Sequence, residues 1–186
     1  MAKLFFRYAA MNAGKSTALL QVAHNYEERG HRVRIFTARL DDRYGHGFVT
    51  SRLGPQRDAE QFDAGTDFQA LMTASPGIAC ILIDEAQFLT KLQVQQLHEM
   101  AHLRNLPAIC YGLRTDFQGE LFPGSATLLA LADEMDEMKT ICDCGRKATM
   151  NMRVDANNRK VTEGAQVEIG GNARYRSVCG RCFRQG

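Results

Sequence analysis

The sequence lacks several features that would assign it to common classes of protein. Its 186 residues contain no apolar stretch approaching the roughly 20 residues needed to span a bilayer, and no run of basic residues. With a net charge of only +2, it has no electrostatic footprint for nucleic acid. No A-x-A-like cleavage site follows the N-terminus, so we expect no signal peptide and a cytoplasmic location. These absences favour a protein that binds neither membranes nor nucleic acid.

Six cysteines are present, and they are unevenly distributed. Cys80 and Cys110 lie within apolar runs, where a reduced cysteine acts as a small hydrophobic residue. The other four form two close pairs, Cys142 with Cys144 and Cys179 with Cys182. Close pairs in a cytosolic protein indicate a metal site rather than disulfides.

Apolar runs alternate with helical patterns over roughly the first 140 residues. Runs at 3–8, 32–37, 79–84 and 108–112 predict strands, and a helical pattern covers 15–29. Thr90 and Gln93 form a capping box before another helix. Alternating strands and helices predict a parallel α/β sheet, whose ligands lie beyond the carboxyl ends of its strands.

The segment AMNAGKST, residues 10–17, lies between the first predicted strand and the first predicted helix. Gly14, Lys15 and Ser16 supply the second half of a Walker A motif, but Ala9 replaces its first glycine. Alanine is small, and only a positive φ would exclude it. Backbone N–H groups here can converge on phosphate oxygens, with Lys15 reaching the β- and γ-phosphates and Ser16 binding Mg²⁺. The alternative is a helix start with an incidental lysine and serine.

Two adjacent carboxylates, Asp84 and Glu85, end the apolar strand in ILIDEAQF. An aspartate at this point occupies the Walker B position for Mg²⁺, and the adjacent glutamate can accept a proton from an attacking hydroxyl. An ordinary acidic strand exit is the alternative. No N-K-x-D motif for guanine occurs in the chain, so we expect an adenine nucleotide.

A third polar cluster, LDDRYG, follows the second predicted strand and therefore emerges on the same edge of the sheet. This position directs Asp41 toward the metal and Arg43 toward developing phosphoryl charge. Taken alone, the cluster is also typical of a common polar turn.

The two cysteine pairs supply four thiolates, enough to close a tetrahedral structural zinc site. Reduced thiols without metal are the alternative, and the first pair has one intervening residue rather than two. Because the pairs are further apart than in a plain zinc ribbon, residues 162–178 must form a loop fixed at its base. Such a loop could be a lid over a substrate or a simple hairpin. We place a domain boundary near residue 140.

The segment HEMAH, from His98 to His102, matches the H-E-x-x-H pattern of zinc peptidases. On the predicted helix, however, these histidines share a face with Gln95 and Lys91, opposite the apolar positions. We interpret this as a solvated face rather than a peptidase site.

With these motifs in place, the chain resembles the type II thymidine kinases over nearly its whole length. The resemblance rests on AMNAGKST, DDRYG, IDEAQF, YGLRTDFQGELF, GGNARYRSVC and the cysteine pairs, in family order. Glycine is commoner at Ala9 in the family, and its first cysteine pair is commonly C-x-x-C. The resemblance implies an α/β P-loop NTPase (RecA-like) parallel sheet over residues 1–139. A small zinc-ribbon-like domain over 140–186 would carry a lasso loop that covers the substrate.

The same resemblance implies transfer of the γ-phosphate of ATP to the 5′-hydroxyl of deoxythymidine, by a homotetramer that dTTP inhibits. Glu85 would be the general base, and Lys15 and Arg43 would stabilise phosphoryl charge. Mg²⁺ would be held directly or through water by Ser16, Asp84 and Asp41. The nucleotide-binding residues would be Ala9, Ala10, Met11, Asn12, Ala13, Gly14, Lys15, Ser16, Asp41, Asp84, Glu85, Ala86 and Gln87. The nucleoside-binding residues would be Met11, Phe88, Phe117, Phe122, Gln166, Val167, Glu168, Ile169, Gly170 and Tyr175.

Two other functions are compatible with the motifs. A P-loop ATPase could use its zinc module to bind a partner, and a zinc-ribbon adaptor would have no enzymatic activity at all. Phe117 and Phe122 have an alternative of their own, because most aromatic residues are buried for core packing.

Overall fold

The computed structural model describes residues 1–40, 47–167 and 174–186. Strands and helices alternate through the first two thirds of the chain, and short strands dominate the last third. In chain order the elements are β1 (Leu4–Ala9), α1 (Lys15–Glu27), β2 (Arg32–Ala38), β3 (Phe48–Thr50), β4 (Gln56–Asp58), β5 (Glu60–Phe62), α2 (Phe68–Thr73), β6 (Ile78–Ile83), a 3₁₀ turn (Ala86–Phe88), α3 (Lys91–Leu103), β7 (Ala108–Leu113), α4 (Pro123–Leu131), β8 (Glu134–Glu137), β9 (Thr140–Ile141), β10 (Lys147–Ala148), β11 (Met150–Arg153), β12 (Tyr175–Val178) and α5 (Gly180–Gln185).

Six strands form the central sheet in the order β5-β2-β6-β7-β1-β8, and every neighbouring pair is parallel. The four predicted strands correspond to β1, β2, β6 and β7, with bounds that differ by no more than about one residue. The predicted parallel α/β sheet is therefore confirmed. Strands β5 and β8, which occupy the two edges, were not predicted.

Strand β6 is buried on both faces, which explains its continuous apolar sequence. Cys80 and Leu82 pack in the same cluster as Leu19 and Ala23 of α1. Ile81 and Ile83 point to the opposite face, into the cluster that contains apolar residues of α2, α3 and α4. As predicted, the thiols of Cys80 and Cys110 lie in the core, fully buried.

The helix ends follow local sequence signals. The Thr90 hydroxyl accepts the Gln93 N–H at 3.2 Å, and the Gln93 side chain accepts the Thr90 N–H at 2.9 Å, so the predicted capping box is present. Helix α1 begins at Lys15 as predicted and ends at Glu27, two residues earlier than expected. Gly30 follows with φ 75°, a conformation in which glycine carries no steric cost.

Helix α4 starts in very close contact with the 3₁₀ turn after β6. A Cβ atom on Gly124 would lie 2.6 Å from the carbonyl oxygen of Ala86 and 2.7 Å from that of Leu89. Only glycine permits this approach without a backbone shift. The start of α4 and the turn after Asp84 and Glu85 are therefore packed as one unit.

The last third of the described chain has its own small apolar cluster, drawn from residues between Cys142 and Phe183. Two antiparallel ribbons, β9 with β10 and β11 with β12, surround this cluster together with α5. The boundary near residue 140 stays a prediction.

A search of the described residues finds no helix with the length and apolar character that crossing a membrane requires.

Candidate functional site

A cleft of about 470 Å³ opens at the carboxyl ends of the parallel strands, as the topology predicts. It is bordered by the loop after β1, by the ends of β6 and β7, by the β3–β4 hairpin and by the last third of the chain. The predicted site residues that line it are Met11, Asn12, Ala13, Gly14, Lys15, Ser16, Asp84, Glu85, Gln87, Phe88, Phe117, Phe122, Gln166, Val167 and Tyr175.

The loop between β1 and α1 has the geometry of an anion-binding turn. Asn12 and Gly14 take left-handed conformations, with φ of 62° and 79°, and α1 begins at the next residue. Successive N–H groups and the start of a helix can thus face one anion. Ala9 is the last residue of β1 and is not left-handed, so no glycine is needed there. Lys15 is almost buried, and its ammonium group donates to the Ala10 carbonyl oxygen at 3.1 Å.

Ser16 and Asp84 meet across the end of the sheet. The Ser16 hydroxyl donates to Asp84 Oδ2 at 2.9 Å, and the Asp84 side chain is buried. Burial and the neighbouring charge of Glu85 raise the pKa of Asp84 to about 7, against the opposing effects of Ser16 and Lys15. A buried carboxylate beside a hydroxyl is an oxygen donor set suited to Mg²⁺. A bound Mg²⁺ would displace the proton that the raised pKa otherwise keeps on Asp84.

Glu85 is held in a strained conformation at the edge of the cleft. Its φ of 53° and ψ of 40° are left-handed, which is uncommon for a residue with a side chain. Gln87 Nε2 donates to Glu85 Oε2 at 2.5 Å, while Gln87 Oε1 accepts the Leu113 N–H at 3.0 Å. Gln87 therefore ties the glutamate to the end of β7. A Cβ on Gly112 would lie 2.9 Å from Gln87 Oε1, so the neighbouring glycine leaves room for this bridge.

Aromatic side chains line the part of the cleft beyond Glu85. The rings of Phe88 and Phe122 pack edge to face with centroids 5.8 Å apart. Phe117 and Phe122 are only 1% and 5% exposed, yet both border the cleft. Their burial is compatible with the core-packing alternative, and their position is compatible with a pocket for a flat ring, so their role in nucleoside binding stays a prediction.

Arg153 organises the side of the pocket that the last third of the chain provides. Its guanidinium carbon lies 3.8 Å from the Phe117 ring centroid, and its Nη2 donates to the Tyr175 hydroxyl at 2.6 Å. It also donates to the Gln166 carbonyl oxygen at 3.4 Å. Gln166 Nε2 in turn donates to Asp116 Oδ2 at 2.9 Å. At one described end of the 162–178 loop, Gln166 is thus bonded to Asp116, which borders the cleft, and at the other end Tyr175 is bonded to Arg153.

The ribbon formed by β11 and β12 is hydrogen-bonded to Met11, in the loop after β1. The Met11 N–H donates to Asn151 Oδ1 at 2.8 Å, and the Ser177 hydroxyl donates to the Met11 carbonyl oxygen. The Asn151 amide nitrogen also donates to the Thr115 carbonyl oxygen at 3.1 Å. One buried asparagine therefore joins the loop after β1, the segment after β7 and the C-terminal ribbon.

The four paired cysteines converge, although the first pair has a one-residue spacing. One sulfur from each lies within 4.8 Å of the others, and Cys144 Sγ is 3.6 Å from Cys179 Sγ. Tetrahedral zinc with Zn–S bonds of about 2.3 Å separates its sulfurs by about 3.8 Å, so the four could hold zinc. The N–H of Cys182, then neighbouring thiols, lower the pKa of Cys179 to about 6, whereas hydrogen bonds with the other three thiols raise the pKa of Cys182. The thiolate that a metal requires is therefore favoured at Cys179 and not at Cys182.

Some predicted site residues do not line the cleft. Ala9, Ala10 and Ala86 are buried behind its wall. Asp41, Arg43, Glu168, Ile169 and Gly170 lie outside the described residues. Their assigned roles stay predictions.

Several residues of the site were missed from the sequence. Asn151, Arg153 and Asp116 are buried polar residues that bridge segments distant in the chain. No spacing rule marks such residues, because their partners come from other elements. The β3–β4 hairpin was also missed, although Val49 to Leu53 border the cleft.

Comparison with known proteins decides which family has this arrangement. The family model described as thymidine kinase matches residues 2–183. The chain belongs to the thymidine kinase family. Among curated relatives, the thymidine kinase of Chromobacterium violaceum is 64% identical over 183 residues, covering 98% of each chain. That of Idiomarina loihiensis is 55% identical over 188 aligned positions, covering 100% of this chain and 97% of its own. That of Yersinia pseudotuberculosis is 54% identical, with 100% and 96% covered.

Membership of the thymidine kinase family confirms the resemblance inferred from the motifs, and the P-loop α/β fold with it. Because the match spans nearly the whole chain, it includes both the parallel sheet and the cysteine cluster.

Proposed function

We propose that this member of the thymidine kinase family transfers the γ-phosphate of ATP to the 5′-hydroxyl of deoxythymidine. One observation carries the proposal: an anion-binding loop, a carboxylate and an aromatic pocket border the same cleft. A phosphate donor and a flat acceptor could therefore meet beside Glu85.

The phosphate side of the cleft supplies position and charge. We infer that the N–H groups from Asn12 to Ser16 and the Lys15 ammonium bind the β- and γ-phosphates of ATP. Ser16 and Asp84 would hold Mg²⁺, which when bound neutralises charge on the phosphates. Asp41 and Arg43, outside the described residues, keep the roles that their motif suggests.

Glu85 is proposed as the general base. As the 5′-oxygen forms its bond to the γ-phosphorus, the bond from that phosphorus to the β–γ bridging oxygen breaks and ADP leaves. The hydroxyl proton passes to the Glu85 carboxylate and then to solvent. The bridge from Gln87 supports this role, because it fixes the carboxylate at the cleft edge before the acceptor binds.

The aromatic side chains are proposed to hold thymine and to keep water from the γ-phosphate. Phe88, Phe117, Phe122 and Tyr175 would surround the base, with Met11 and residues 166–170 closing over it. Hydrolysis of ATP would otherwise compete with transfer to the nucleoside. The bonds from Arg153 to Tyr175 and Gln166 support this arrangement at the described ends of the loop.

Family membership also supports four finer proposals. We infer that the cysteine cluster holds a structural zinc ion and that the protein is a homotetramer. We infer further that dTTP inhibits it by occupying the same cleft, and that it acts in the cytoplasm, where closely spaced thiols stay reduced.

A labelled-ATP assay with a panel of nucleosides tests the proposed reaction. We expect label from the γ-phosphate to appear in dTMP with deoxythymidine and not with purine nucleosides. Label found only as inorganic phosphate, at the same rate with or without nucleosides, would contradict the proposal and favour an ATPase.

A further inference from the structure

The described part of the chain, residues 1–40, 47–167 and 174–186, contains two groups of side chains that could hold a metal ion. One is the cysteine cluster. The other is His98, His102 and Asp133, each of which places one ligand atom within 4.8 Å of the other two. We propose that His98, His102 and Asp133 bind a divalent transition-metal ion, Zn²⁺ in the first instance.

The two histidines are arranged for a shared ligand. They are four residues apart on α3, so they lie on one face of the helix, and their ring centroids are 4.5 Å apart. Two imidazoles from one helical turn and one carboxylate are a donor set that suits zinc and its neighbours in the first transition row. Side-chain exposures of 31% for His102 and 24% for Asp133 leave the group accessible to an ion.

The distances are close to those of a bound ion. His102 Nε2 lies 3.1 Å from both carboxylate oxygens of Asp133. In a tetrahedral site with bonds of about 2.0–2.1 Å, ligand atoms are separated by about 3.3 Å. An ion could therefore replace the hydrogen bond between these residues with little movement. One ring nitrogen of His98 lies within 4.8 Å of the other two ligand atoms.

Asp133 is held in place by hydrogen bonds to the backbone of β1. The Leu4 N–H donates to Asp133 Oδ2 at 2.8 Å, and the Asp133 N–H donates to the Leu4 carbonyl oxygen at 2.9 Å. The site also lies at the C-terminal end of α3, where the helix dipole favours a cation.

This site is separate from the proposed kinase chemistry. Leu4 begins β1 and Ala9 ends it before the phosphate loop, so about 17 Å of strand lies between the two sites. The site is also unlike that of an H-E-x-x-H peptidase, because Glu99 accepts a hydrogen bond from Gln69 of α2 rather than facing the histidines. The ion would instead link α3 to the start of β8.

Metal titration tests the proposal on protein that carries one equivalent of zinc per chain, enough for the cysteine cluster alone. Wild type should bind Co²⁺ beyond the metal of its cysteine cluster, and the added Co²⁺ should show d–d bands without thiolate charge transfer. The double variant His98→Ala, His102→Ala should bind this ion roughly 10–100-fold more weakly, by analogy with the loss of supporting groups at other sites. Asp133→Asn, which keeps an acceptor for the Leu4 N–H, should also weaken binding.

His24→Ala is the matched control, because His24 is an exposed helical histidine outside the group. It should bind the added ion as wild type does. Equal affinity in wild type and the double variant, thiolate charge transfer from the added Co²⁺, or no added binding by wild type would each overturn the proposal. Deoxythymidine phosphorylation should be unchanged in all variants, which shows that they are folded. Should the double variant misfold, the comparison of Asp133→Asn with His24→Ala decides.

Discussion

The parallel sheet and the C-terminal ribbons are stabilised in different ways. The sheet buries apolar layers on both of its faces, and its six strands need no ligand to bring them together. The region after residue 140 has a small apolar cluster around four thiols, and its ribbons are two strands each. Two-stranded ribbons are marginal in isolation, so a metal ion is expected to stabilise this region. The sheet therefore positions the proposed chemistry, and we infer that the ribbons beside it need the proposed zinc ion to stay folded.

The two regions meet at Met11, whose N–H and carbonyl groups are both bonded by the C-terminal ribbon. Because the regions meet at Met11, a substitution in the sheet and one in the C-terminal ribbons can be compared. We expect the first to change kcat and the second to change KM.

The largest effect is expected within the sheet region, at the proposed general base. Glu85→Gln should lower kcat by roughly 10²–10⁴, the usual contribution of general-base catalysis, and leave ATP binding nearly unchanged. Steady-state kinetics and nucleotide titration measure both. Glu99→Gln, on the exposed face of α3, is the matched control and should have wild-type kcat. Turnover of Glu85→Gln near that of wild type would remove this residue from the mechanism.

The second prediction concerns the cost of placing a carboxylate inside the sheet. The pKa of Asp84, about 7, is above its ordinary 3.8, so the folded ligand-free protein holds this proton more tightly than the unfolded chain. The contribution of this proton to the free energy of unfolding is fully present below about pH 4 and is lost as the pH rises toward 7. Asp84→Asn should therefore raise the free energy of unfolding at pH 8, by up to roughly 4 kcal/mol, while abolishing kinase activity.

Denaturant unfolding of zinc-loaded, magnesium-free protein between pH 4 and 8 measures this difference. Asp58→Asn, at an exposed position of β4, is the control and should leave the pH dependence unchanged. A stability difference between wild type and Asp84→Asn that does not grow with pH would contradict the assignment.

The third prediction breaks the C-terminal region alone. Cys182→Ser should lose zinc and raise the KM for deoxythymidine by roughly 10–100-fold, because the ribbons that hold the loop over the pocket lose their support. The sheet and the helices packed on it should stay folded, as measured by thermal unfolding followed by the circular dichroism of the helices. Cys110 is buried in the sheet, so the variant Cys110→Ser is the control and should keep the zinc content of wild type. Unchanged KM together with unchanged metal content would contradict the role of the cluster.

The smallest effect is expected at the contact between the regions. Asn151→Ala leaves the Met11 N–H and the Thr115 carbonyl oxygen without their partner, at a cost of about 1–2 kcal/mol. We expect this to appear as a roughly 5–30-fold increase in the KM for ATP, with zinc content unchanged. Asn157→Ala, at an exposed position after β11, is the control. If Asn151→Ala changed only the KM for the nucleoside, the contact would not act through the phosphate loop.

The sequence was most informative where one segment determines its own structure. Continuous apolar character identified β6, and the capping box identified α3, because both signals are local. Strands β5 and β8 are three and four residues long, and β8 carries three acidic residues, so neither has an apolar pattern of its own. They join the sheet because a neighbouring strand edge pairs with their backbone.

The same distinction applies to the site. Lys15, Ser16, Asp84 and Glu85 could be found because motifs fix their places at strand ends. Asn151 could not be found in this way, since its role depends on partners about 36 and 140 residues away in the chain. Of the group His98, His102 and Asp133, the segment HEMAH showed only the two histidines. Asp133 could not be recognised with them because it lies about 30 residues further along the chain, just before β8.

The close approach of Gly124 to the turn after Glu85 limits how the proposed nucleoside pocket can be redesigned. Phe122 immediately precedes α4, and the backbone that carries the carboxylate packs directly against the first turn of that helix. Shifting α4 to admit a larger base would also displace Glu85, the proposed proton acceptor. Broader acceptor selectivity should therefore come from side-chain truncation at Phe88 or Phe117 rather than from moving the backbone.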